Sequence, residues 1–95
     1  MSKSIYSAPQ DVLLSLMREM RLAAGMTQTD LAGKLGVQQG VISKCERGSR
    51  RLDVIELYQW LAALGVKFTV FAEELDARLQ GQTKLFKLTS ERSKR

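Results

Sequence analysis

The stretch that most constrains the fold is TQTDLAGKLGVQQGVISKCER, residues 27–47, which holds two short apolar patterns of helical spacing hinged at Gly36. In the first, Leu31, Ala32 and Leu35 share one face. Thr27 offers an N-cap there, and Asp30, three residues on, completes a capping-box pattern. In the second, from about Gln38 to Arg47, Val41, Ile42 and Cys45 point one way. At roughly 100° per residue, Gln39, Gly40, Ser43, Lys44 and Arg47 point the other way. A plain hairpin of two amphipathic helices would account for the apolar spacing. It would not account for these particular polar residues on the exposed face.

A helix with an apolar back and a front of amides, a hydroxyl and cations suits the reading of a nucleic-acid groove. Glutamine bonds adenine bidentately, while lysine and arginine serve guanine or phosphate. The order of residues resembles the helix-turn-helix of the phage-repressor family, the Cro/repressor or XRE type. The matching string is Gly25-x-Thr27-Gln28-x-x-Leu31-Ala32, then Leu35-Gly36-Val37, then Val41-Ile42-Ser43-Lys44-x-Glu46-Arg47-Gly48. The likeness extends more loosely over residues 10–79 and leaves both ends uncovered. It implies an all-α fold, a five-helix bundle of the lambda-repressor-like DNA-binding type, with the second and third helices as the DNA-binding unit.

Size and composition agree with a single small folded domain. The chain has 95 residues, 44% apolar and 26% charged, ordinary for a globular protein. No apolar run approaches the roughly 18 residues of a membrane span. The start, MSKSIYSAPQ, lacks the apolar core of a signal peptide, so the cytoplasm is the expected compartment. A lone cysteine forms no internal disulfide, and Cys45 reads as a small core hydrophobe. With no histidine, no Cys/His cluster, no P-loop and no carboxylate pair in a catalytic motif, neither an enzyme nor a metal or cofactor is expected.

Charge is unevenly distributed. Between residues 34 and 51, Lys34, Lys44, Arg47, Arg50 and Arg51 stand against the single acid Glu46. Between 53 and 79 the balance reverses, with Lys67 and Arg78 against Asp53, Glu56, Glu73, Glu74 and Asp76. The tail from Gln80 is basic again, through Lys84, Lys87, Arg92, Lys94 and Arg95. A basic stripe on the second pattern with an acidic opposite end favours one orientation toward a polyanion.

Taken in order, residues 1–8 read as a flexible lead, with Ser7 capping a helix whose first turn contains Pro9. Val12, Leu13, Leu16, Met17 and Met20 form its apolar stripe, continuing to Ala24 and stopping at Gly25. The family resemblance implies that Arg21 pairs with Glu46 and fixes the first helix against the third. It also implies that Gln28 touches the DNA backbone and props Gln39, the leading base reader.

Thr27 and Gln28 at a helix N-terminus suit a phosphate. Gln38 reaches a base or a phosphate, and Gly40 offers no side chain. Ser43 suits a phosphate, and Lys44 suits guanine or phosphate. Arg47 lies on the same exposed face, and Ser49, Arg50 and Arg51 form a basic loop for phosphate beyond Gly48.

Asp53 with Glu56 reads as a second capping box, and Leu52 with Leu57 as a hydrophobic staple. Ile55, Tyr58, Leu61, Ala62 and Leu64 carry the fourth helix to Gly65. Trp60 divides between the core and a subunit contact. Over residues 66–79, VKFTVF alternates enough to pass for a strand. However, Phe68, Phe71, Ala72, Leu75 and Leu79 recur at helical spacing and favour a fifth, inward-packed helix from about Thr69, with Thr69 as its cap. The segment KLFKL, residues 84–88, holds more apolar residues than a solubilising tail requires.

The division is thus a lead at 1–8, a DNA-binding domain at 9–79 and a basic tail at 80–95. The function expected is sequence-specific binding of double-stranded DNA, and the resemblance implies transcriptional regulation, by repression rather than activation. A homodimer on a palindromic operator, with half-sites about 34 Å apart, follows from the small footprint of one domain. The alternative is an antitoxin or adaptor that holds a toxin-like protein partner through helices 4–5 or the tail. No membrane is involved in either.

Overall fold

Capping chemistry sets most of the helix ends. In the computed structural model, which describes residues 4–81, the chain forms α1 (Ser4–Ala23), α2 (Gln28–Leu35), α3 (Gln39–Arg47), α4 (Val54–Leu64) and α5 (Phe68–Gln80). Among the described residues there is no strand. Thr27 and Asp53 cap α2 and α4 through reciprocal capping boxes with Asp30 and Glu56, as their spacing predicts. At the far end of α2, Gly36 takes φ +71°, and the following amide of Val37 donates to the Ala32 carbonyl at 3.0 Å. That left-handed residue satisfies the last carbonyls and turns the chain into α3. Gly48 does the same after α3 with φ +83°, and a Cβ there would also stand 3.0 Å from Leu14 Cδ1.

Three boundaries differ from expectation. α1 begins at Ser4, so Pro9 lies inside the helix and the expected lead is shorter. Proline there removes one backbone donor but does not end the helix. α3 begins at Gln39, with Gln38 as its N-cap. α5 begins at Phe68, and its cap is Lys67, whose side chain makes no capping bond, in place of Thr69. The cause is the tight reversal before it: Val66 N–H donates to the Leu61 carbonyl at 2.9 Å and completes the end of α4. The next turn of helix therefore starts at once, and the strand reading of this segment is overturned. Residues 1–3 and 82–95, including the KLFKL segment, lie outside the described residues.

The core gathers one face of every helix. Leu16 and Met17 of α1, Leu31 and Ala32 of α2, Ile42 and Cys45 of α3, Trp60, Leu61 and Leu64 of α4, and Phe71 of α5 are buried together. α2 packs on α3 and α4, while α1 spans α3 and α5. Leu52 and Leu57 both pack against the core, as the staple requires. Trp60 is core, not a surface for a partner.

Of the apolar pattern read in α4, Leu61 and Leu64 are buried and Ile55, Tyr58 and Ala62 are not. Its sequence, VIELYQWLAAL, is apolar on nearly every side, so periodicity alone does not select the inward stripe. The structure buries Trp60, Leu61 and Leu64, with Leu57 half-buried one turn earlier on the same stripe, and leaves Val54, Ile55, Tyr58 and Ala62 exposed. Ala24 and Ala72, also expected inside, are exposed. No single helix among the described residues is long and apolar enough to cross a membrane.

Candidate nucleic-acid interface

The interface is built on a buried ion pair. Arg21, near the C-terminus of α1, donates through Nε to Glu46 Oε2 at 2.7 Å and through Nη2 to Glu46 Oε1 at 3.0 Å. Its remaining arm, Nη1, donates to the Met26 carbonyl at 2.8 Å, tying in the loop before α2. The side chains are 7% and 4% exposed, so the pair is almost wholly removed from water. Burial pushes the Glu46 carboxyl up. The hydrogen bonds from Arg21 and Gln28, with the nearby charges of Arg21 and Arg18, outweigh that and hold it below the ordinary carboxylate range. The guanidinium is correspondingly raised by its bonds to Glu46, against the opposing effect of burial. The pair expected between Arg21 and Glu46 is present in the bidentate form that arginine favours.

From Glu46 the polar line continues outward. Gln28, the first residue of α2, donates through Nε2 to Glu46 Oε1 at 3.0 Å. Its Oε1 accepts from Nε2 of Gln39, the first residue of α3, at 2.6 Å. The two glutamines therefore form a bridge across the turn, with Gln39 exposed at its outer end.

Beneath them, Thr27 Oγ1 accepts the Asp30 N–H at 3.0 Å, and the Thr27 N–H donates to Asp30 Oδ2 at 2.9 Å. The Asp30 carboxyl is held low by these bonds to Thr27. The Thr27 oxygen is engaged in the cap, and the hydroxyl proton is its remaining donor.

Along α3, Gln39, Gly40, Lys44 and Arg47 are exposed as expected, and Ser43 is half-buried. Gln38 at the cap makes no side-chain capping bond, which leaves its amide uncommitted. Gly40 is exposed, and a Cβ there would meet nothing within 4 Å, so the position is open to solvent. Arg47 Nη1 donates to Ser43 Oγ at 2.6 Å, which lays the guanidinium along the helix. Lys44 is exposed on the same element.

The loop after α3 divides. Ser49 Oγ donates to the Lys44 carbonyl at 3.3 Å and helps close the helix end. Arg50 turns to α4, with Nη2 on Glu56 Oε2 at 3.1 Å and Nη1 on Cys45 Sγ at 3.6 Å. Arg51 is exposed and makes no side-chain hydrogen bond among the described residues. Of the three loop residues expected at phosphate, Arg51 is thus the one with no side-chain partner among the described residues.

Two connections escaped the sequence. The bond from Gln28 to Glu46 joins the ion pair to the glutamine bridge, and nothing in the spacing of the two residues signals it. The Arg50–Glu56 pair crosses from loop to helix six residues apart, a spacing with no helical periodicity behind it. Among the described residues no group of three His, Cys, Asp or Glu side chains could hold a metal ion.

A helix-turn-helix family model matches residues 17–71. Among solved structures, the chain is similar to an XRE-family like protein from Pseudomonas syringae pv. tomato str. DC3000. The two are 40% identical, with a TM-score of 0.72 over 81% of this chain and 94% of that one. It is similar also to the wild-type restriction-modification controller protein C.Esp1396I, at 33% identity and a TM-score of 0.70, over 77% of this chain and 95% of that one. No curated protein matches.

Proposed function

We propose that this chain, which belongs to the XRE-type helix-turn-helix family of DNA-binding transcriptional regulators, is a repressor that binds a palindromic operator as a homodimer. The observation that carries the reading is the bridge from Gln28 to Gln39 at 2.6 Å, which holds an amide at the exposed start of α3. An amide in that position carries both a donor and an acceptor for a base edge. Gln39 reads a base, and Gln38 and Lys44 reach bases or phosphate beside it. The proposed phosphate contacts come from Thr27, Gln28, Ser43, Arg47, Ser49 and Arg51. Arg50 reaches phosphate only by leaving Glu56. Gly40 leaves its base step without a side-chain reader, so DNA shape decides there. The working compartment is the cytoplasm, where the DNA is.

Two-fold binding is supported by the small span of one recognition helix and by apolar surface away from it. Val54, Ile55 and Tyr58 on α4 are each more than half exposed, and the Tyr58 ring lies 6.1 Å from that of Phe68. The same surface supports the second reading, an antitoxin or adaptor that holds a protein partner through α4 and α5. Light scattering on the purified chain separates the two, because only the homodimer reading predicts twice the chain mass without a partner.

The direct test is selection from a randomised duplex library at about 150 mM salt, where counterion competition suppresses purely electrostatic binding. A palindromic consensus whose preference relaxes at one position per half-site in Gln39→Ala is expected. No enriched sequence would sink the repressor reading. Arg51→Ala should weaken binding to all duplexes alike and reduce the salt slope by about one unit.

A further inference from the structure

Four side chains from three helices form one continuous hydrogen-bonded line: Arg21 on α1, Glu46 on α3, Gln28 on α2 and Gln39 on α3. The ends of this line differ in kind. At the inner end, an ionised carboxylate has only acceptors. The group of Gln28 that faces Glu46 must therefore be its NH2, which turns Gln28 Oε1 toward Gln39. Gln39 must then answer with its own NH2. Each amide orientation follows from the one before it, and the first is dictated by the charge on Glu46. The ion pair does not need this arrangement, because Arg21 already bonds both carboxylate oxygens.

We propose that Glu46 is a positioning residue for sequence recognition: through Gln28, its carboxylate fixes the Gln39 amide so that Oε1 and one N–H face the DNA. The inference rests on the reading of Gln39 as a base contact and says which base it prefers. Adenine offers an N6 donor and an N7 acceptor in the major groove, which match a fixed acceptor and donor. Guanine offers two acceptors, O6 and N7, and would need the amide reversed. A reversed Gln39 requires a reversed Gln28, and that would set an amide oxygen against the Glu46 carboxylate. Discrimination at the DNA surface is thus set by a side chain that does not reach it.

The test uses the full chain and two variants. Glu46→Gln lets both amides turn, because its own amide donates or accepts. Gln28→Met breaks the line and leaves Arg21 and Glu46 paired, so it decides the matter if Glu46→Gln does not fold. Loss of base preference in Gln39→Ala first identifies the base pair concerned, and duplexes with adenine or guanine there are then compared.

The adenine-over-guanine ratio should fall by about tenfold in both variants; Gln28→Met also removes a proposed phosphate contact, and that loss weakens both duplexes alike and cancels in the ratio. Folded variants that keep the wild-type ratio would overturn the proposal. If Gln39→Ala leaves every base preference unchanged, the base-reading role itself fails. Side-chain amide exchange in the DNA-free protein, followed by NMR, then still decides the positioning. Slowed exchange at Gln39 Nε2 that is lost in Gln28→Met and in folded Glu46→Gln supports it, and exchange indifferent to both substitutions overturns it.

Discussion

Arg21 meets Glu46 at 2.7 and 3.0 Å, and Arg78 of α5 meets Glu19 of α1 at 3.0 and 3.1 Å. Both contacts are bidentate, both join helices far apart in the chain, and both arginines have a further acceptor. For Arg21 it is the Met26 carbonyl, and for Arg78 it is Glu74 at 2.8 Å. By distance the two clusters are alike. They differ in water: the side chains of Arg21 and Glu46 are 7% and 4% exposed, against 33% and 57% for Arg78 and Glu19. Bond length therefore says little about weight here. Removing one partner of the buried pair leaves a charge with no solvent to receive it, whereas Arg78 and Glu19 exchange each other for water.

The largest expected effect is on the buried side. Glu46→Ala should destabilise the fold by about 3–5 kcal/mol, measured by denaturant unfolding, because Arg21 is left charged and enclosed. A loss no greater than that of a surface substitution would break the comparison.

Acid should act on the same pair, and the sign follows from the depressed Glu46 carboxyl. Its stabilisation is fully present above the unfolded carboxylate value of about 4.3 and is lost as the pH falls through the lower folded value. This loss should persist at roughly 1 M salt, since enclosed charges are little screened. The Glu19 carboxyl is also lowered, chiefly by its hydrogen bond with Arg78, but it is exposed, so its share of the acid response should fade in the same salt. A salt titration of the acid transition, in wild type and in Glu46→Gln, separates the two contributions.

Smaller effects sharpen the contrast. Thr27→Ala removes the cap of α2 and should cost about 1 kcal/mol in the same denaturant assay, because the freed Asp30 N–H lies in water. Arg78→Ala should leave the thermal midpoint indistinguishable from wild type. A clear drop there would mean that α1 and α5 depend on the exposed cluster after all.

Legibility in the sequence followed the range of each interaction. The caps of α2 and α4 were readable because Thr27–Asp30 and Asp53–Glu56 are local, and a three-residue spacing encodes their geometry. The Arg21–Glu46 pair, 25 residues apart, was reached through family resemblance and through no periodicity of its own. The candidate site was legible as a set of residue types on one helix face. Its internal wiring was not, because the bond from Gln28 to Glu46 depends on how three helices converge.

The inward stripe of α4 is not readable in the sequence for a different reason. Ile55 is as apolar as Leu57 and Leu61, Tyr58 carries a large ring, and only the positions of α2 and α5 decide which stripe turns inward. Of the partners of Arg78, Glu74 lies at i−4 on its own helix, whereas Glu19 is 59 residues away and has no local signature.

Burial, not contact distance, makes the Arg21–Glu46 pair the support of the recognition helix. Two double-mutant cycles under one set of conditions test it most directly: Arg21→Met with Glu46→Leu, and Arg78→Met with Glu19→Leu. The first cycle should give a coupling energy of about 2–3 kcal/mol and the second none resolvable. Equal couplings in the two cycles, or a larger one for Arg78 and Glu19, would contradict it.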